Sequence, residues 1–147
     1  MSILNNILFI LHLLGLAMGL SASFSNMVMA ALIAKAAPGE KPVLGRFPPA
    51  MMRVGASGLA LLWITGLSML FTRWGGLANL GNMPWTFHLK LTLVVILSGI
   101  IGYIQTLVRR MQKGDVAAAA TIPIVGRIAF LLVLAIVTCA VFTFSGF

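Results

Sequence analysis

The chain has 147 residues, of which 61% are hydrophobic and 8% charged, and its mean hydropathy is +1.10. A soluble domain carries roughly 25% charged residues, and a short chain cannot bury this much apolar surface. These figures exclude a soluble globule and a disordered chain, and a single cysteine, Cys139, excludes a disulfide scaffold. What remains is an all-α integral membrane protein. At about 20 residues per span, the length allows a single four-transmembrane-helix bundle over residues 1–147.

The first predicted span covers residues 3–34, with no charge and no proline. It follows the first Met without a basic n-region, so it reads as a span rather than a signal peptide. Pro38, Gly39 and Pro42 break it. The second span covers residues 49–71, with Pro49 in the first turn and Arg73, Trp74, Gly75 and Gly76 at its end. A Gly- and Asn-containing loop leads to Pro84. The third span covers residues 85–110. A linker, Met111 to Thr121, includes the run Ala117 to Ala120, and the fourth span covers residues 123–144.

Basic residues favour the cytoplasmic side. Lys35, Lys41, Arg46 and Arg53 flank the first loop, and Arg109, Arg110, Lys113 and Arg127 flank the third. The second loop has Arg73, with Lys90 one turn into the next span. Loops one and three are therefore expected in the cytoplasm and both termini on the outer, periplasmic side. The net charge of +8 is accounted for by this asymmetry and by anionic lipid headgroups, so no nucleic-acid partner is implied.

Polar groups inside a span are costly and mark candidate sites. The two histidines, His12 and His88, fall in the first and third spans, both in the expected outer half. At about 100° per residue, Asn5, His12, Gly15, Gly19, Ser23 and Asn26 share one arc of the first helix. On the third, His88, Thr92, Gly99, Gly102, Thr106 and Arg110 do the same. Small residues at such positions also serve as helix-packing seams, and Gly15 to Gly19 is a GxxxG spacing. Two histidines heading such stripes point further, to a shared ligand. Imidazole suits haem iron, copper or zinc.

Two histidines can clamp a haem from both sides, with glycines giving it room and Arg73 and Lys90 near its propionates. Copper would call for thioether or thiolate help, and no Met-rich cluster flanks either histidine. Zinc lacks ligands, because the only acids, Glu40 and Asp115, lie in loops. The missing intramembrane acid also removes carboxylate-pair chemistry and a serine triad. Cys139, within an apolar span, reads as an inert core residue. Trp74 and Trp85 read as interfacial anchors, and Trp63 as a packing residue. Taken alone, Lys90 reads as a snorkelling interfacial lysine.

The stretch Trp85-Thr86-Phe87-His88-Leu89-Lys90-Leu91-Thr92 resembles part of the HemJ-type bacterial protoporphyrinogen oxidases, which share a plan with copper-resistance D-like membrane proteins. Leu11-His12-Leu13-Leu14-Gly15 is similar to that family's first-helix histidine region, and Pro49-Ala50 to the start of its second helix. The chain resembles a divergent member: Ser21 to Met29 stand where the family has a Trp-Phe-x-Gly stretch and a Pro-Arg pair.

The resemblance implies haem b held by His12 and His88 in a bacterial inner membrane. It makes Lys90 a candidate for a catalytic part. The expected site thus comprises His12 and His88 as metal ligands, with Gly15, Gly19, Thr92, Gly99, Arg73 and Lys90 around the cofactor. Its work would be membrane electron transfer or oxidation of a porphyrinogen- or quinol-type substrate. A quinone or a redox protein would be the partner, in a homo-oligomer. A copper-handling protein and a non-catalytic subunit packing through glycine seams are the alternatives.

Overall fold

The computed structural model describes residues 3–144. Among them every regular element is helical: α1 (Ile3–Lys35), α2 (Lys41–Leu44), α3 (Phe47–Trp74), a 3-10 segment (Leu77–Asn82), α4 (Trp85–Gln112) and α5 (Val116–Phe144). Four of these, α1, α3, α4 and α5, are long and apolar enough to cross a membrane. A membrane requires this architecture, because a helix satisfies its backbone hydrogen bonds within itself.

The helix ends follow local chemistry. Gly75 closes α3 in the left-handed region at φ 75°, and the Gly76 N–H donates to the Leu70 carbonyl. A Cβ is strained in that conformation, which is why glycine stands there. At the α4–α5 corner the Asp115 carboxylate accepts from the Ala118 N–H at 3.1 Å and pairs with Arg110 at 2.8 Å. This cap starts α5 at Val116, well before the expected boundary at residue 123. The Ala117 to Ala120 run is therefore helix rather than linker, in line with the high helix propensity of alanine. Pro123 lies inside α5. It removes one backbone donor, and the helix continues through it.

The helices pack as two pairs. α1 lies along α3 and α4 along α5, and these are the two most extensive contacts. The α1–α5 contact is smaller, and the α3–α4 contact is thin. Phe24 and Phe130 stack across α1 and α5 at 6.5 Å. The tightest apolar cluster is Leu97 of α4 with Ala129, Val133 and Ile136 of α5.

α1 and α3 run antiparallel. Thr72 Oγ1 lies 2.8 Å from Asn5 Oδ1, His12 meets Thr65, and Gly15 meets Gly58. The polar and small-residue arc of α1 therefore faces α3 and forms a packing seam.

Candidate functional site

His12 sits in that seam. Its Nδ1 is 2.9 Å from Thr65 Oγ1, and Thr65 is 1% exposed. Thr65 Oγ1 in turn donates to the Leu61 carbonyl at 2.6 Å. A threonine hydroxyl has one proton. With that proton directed to Leu61, Nδ1 carries its own and donates it to Oγ1. The Thr65 acceptor on α3 thus favours the Nδ1–H tautomer, in which Nε2 keeps its lone pair. A ligating histidine is characteristically oriented in this way, by a hydrogen bond to its other nitrogen.

Space around the ring is limited on the α3 side. A Cβ at Gly66 would lie 3.4 Å from His12 Cε1. One turn along, a Cβ at Gly15 would lie 2.9 Å from the Gly58 carbonyl oxygen. The room at Gly15, expected for a cofactor, is filled by the α3 backbone. Gly19 is adjacent: nothing lies within 4 Å of a Cβ built on it. Gly19 is thus open, whereas Gly15 is part of the helix contact.

Lys90 of α4 is half-buried. His88 lies two residues before it, about 200° around the helix. It is exposed, its ring edge-on to Phe87 with centroids 6.0 Å apart. Thr92, Gly99, Gly102, Thr106 and Arg110 are exposed with it, and Thr92 donates to the His88 carbonyl at 2.9 Å. The whole α4 stripe therefore faces away from the chain's interior.

His12 is thus half-buried against α3, whereas His88 lies on the exposed side of α4. α1 packs on α3 and α5, and α4 on α5 and, less, on α3. Arg73 is exposed at the end of α3, its guanidinium 5.8 Å from the Trp74 ring centroid. A rim cavity of about 340 Å³ lined by Trp74, Asn79, Asn82, Met83 and Pro84 includes none of the expected site residues.

Two residues at the site escaped the sequence reading. Thr65, the partner of His12, is one hydroxyl in an apolar span, and nothing in its spacing marks it. Trp63 is more than a packing residue: its Nε1 donates to Ser98 Oγ at 3.0 Å, joining α3 to α4. The sequence-level signal for both is a polar atom in a hydrocarbon-depth segment, which needs a partner. Among the described residues, no three of His, Cys, Asp and Glu come together to hold a metal ion.

Compared with family models, with curated proteins and with solved structures, the chain matches none.

Proposed function

We propose that this chain is a multi-pass protein of a bacterial inner membrane, with both termini outside, that binds haem b through His12 and serves membrane redox chemistry. The observation that carries the reading is the His12–Thr65 hydrogen bond, which orients one imidazole through one nitrogen and leaves the other for a metal. The donor set favours haem over a bare ion. A porphyrin brings four nitrogen donors of its own and asks the protein for one or two, whereas a bare ion needs a cluster of side chains. The orientation rests on the basic residues of loops one and three.

When bound, haem supplies one-electron chemistry. The chain's own part is to present Nε2 of His12 and to hold the ring by Thr65. His12 is the interior ligand in this reading, and the exposed position of His88 makes it the less supported of the two expected ligands. A second reading, a non-catalytic bundle, is favoured by the glycine seam between α1 and α3.

The test is a visible spectrum of the detergent-purified protein, oxidised and reduced. On the haem reading the wild type shows a Soret band, His12→Ala loses it, and His88→Ala keeps it. A colourless wild type after haem supplementation overturns the reading and leaves the structural one. Loss in both variants would restore ligation by both histidines.

A further inference from the structure

α4 carries a second seam, which none of the described helices fills. His88, Thr92, Val95, Gly99, Gly102 and Thr106 are all exposed, and they follow one another at alternating steps of four and three residues. That is the spacing by which one helix meets another along its length at a shallow angle. Leu97, on the other side of α4, packs on α5. Gly99 and Gly102 lie at the middle of the seam, and a Cβ built on either meets nothing within 4 Å. Gly15 and Gly58 differ, because there the close approach that glycine permits is taken up by a neighbouring helix. Glycine weakens a helix interior, and no contact within the chain offsets that at Gly99 and Gly102.

Charge and size define what the seam fits. Its six positions hold no Lys, Arg, Asp or Glu. Arg109 and Arg110 follow at its C-terminal end, where Asp115 pairs with Arg110 at 2.8 Å. Copies of one chain share one orientation in a bilayer. A two-fold axis along the membrane normal therefore sets α4 parallel to α4, with each seam residue opposite its own equivalent. Charged residues repel their equivalents, and large ones hold the helices apart. Small neutral residues let the backbones approach. A neutral imidazole has one donor and one acceptor nitrogen, so two of them hydrogen-bond to each other. The His88 ring meets Phe87 edge-on, and among the described residues neither of its nitrogens has a hydrogen bond.

We propose that two copies of this chain pair through α4 as a parallel dimer, closing Gly99 and Gly102 on their equivalents and bonding His88 to His88 across the axis. The dimer needs no haem, so its test is separate from that of the haem reading.

The experiment counts chains by single-molecule photobleaching of the full-length protein in phosphatidylcholine liposomes, over a series of dilutions in lipid. The wild type is expected to be a dimer that dissociates on dilution. Gly99→Leu and Gly102→Leu should each weaken it by about tenfold or more, the scale of overpacking a tight contact. Gly126→Leu, at a glycine of α5 with equally open space, should leave it unchanged. His88→Ala should weaken the dimer by about three- to twentyfold, the range for one hydrogen bond between helices in a membrane. His88→Gln, which also offers a donor and an acceptor, should keep most of the affinity. Oxidation of Val95→Cys should trap a disulfide-linked dimer. Leu131→Cys, exposed on α5, should not exceed the wild type with its native Cys139.

A wild type that is monomeric at every dilution overturns the proposal. So does a dimer as tight in both leucine variants as in the wild type. A monomer bound to a different polypeptide that both leucine variants release also overturns it, since another protein would then cover the seam. Should the leucine variants fail to fold, cross-linking decides: dimers trapped through Leu131→Cys and not through Val95→Cys would place the interface on α5 and overturn the proposal.

Discussion

Gly15 and Gly58 meet backbone to backbone across α1 and α3. A Cβ built on Gly58 would lie 2.7 Å from the Gly15 carbonyl oxygen, and one on Gly15 would lie 2.9 Å from that of Gly58. Neither neighbour is a flexible side-chain end, so the helices must separate to admit a methyl group. This contact sets the distance between α1 and α3, and it places His12 against Thr65 one turn away.

Gly58→Ala is therefore expected to destabilise the α1–α3 pair by about 1–3 kcal/mol, the range for overpacking a tight interface. Gly19→Ala should be neutral or slightly stabilising, because its Cβ has open space and alanine favours the helix. Loss of helix content on titrating the protein with SDS in mixed micelles measures both. Equal effects of the two substitutions would show that the glycines act through flexibility rather than close approach.

Thr65→Val removes the oxygen that fixes the His12 ring while keeping its volume. On the haem reading, affinity should fall by about 10–100-fold, as when the hydrogen-bond partner of a ligating histidine is lost. Thr65→Ser should restore most of it. Haem titration of the purified variants, followed at the Soret band, checks the pair. An unchanged affinity in Thr65→Val would mean that the hydrogen bond serves packing alone.

Trp63→Phe deletes the hydrogen bond from α3 to Ser98 of α4. The expected cost is about 1 kcal/mol. The effect should appear at the thin α3–α4 contact rather than in the α1–α3 seam. Hydrogen exchange resolved by peptide should show faster exchange in α4 with α1 unchanged.

Asp115 makes the start of α5 sensitive to acid. Its carboxyl is held below the usual carboxylate range, first by the Ala118 N–H and then by the Arg110 guanidinium. A lowered folded value means that the stabilisation is complete above the ordinary carboxylate range and is lost as pH falls through the lowered one. Exchange protection at Ala118 should thus persist from neutral pH into mild acid and drop only under stronger acid. Asp115→Asn should keep much of the cap, since asparagine also caps, and should abolish this pH dependence. An acid-induced drop of equal size in the variant would place the sensitivity elsewhere.

Four spans, their order and most of their ends were legible in the sequence. Apolar runs of bilayer length, separated by Pro, Gly and charge, leave a chain few alternatives in lipid. The start of α5 was not, because Pro123 reads as a boundary until the Asp115 cap is seen to nucleate helix ahead of it. The small-residue arcs on α1 and α4 were also legible as arcs.

What they face was decided by tertiary structure alone. The two stripes have the same composition, a histidine heading glycines and hydroxyls. α3 supplies Gly58 and Thr65 to fill one of them, whereas α5 packs against the apolar side of α4 and leaves the other outward. Periodicity fixes which residues share a face of a helix. The rotation of that face toward a neighbour depends on side chains distant in sequence, and Thr65 opposite His12 is the instance on which this site turns.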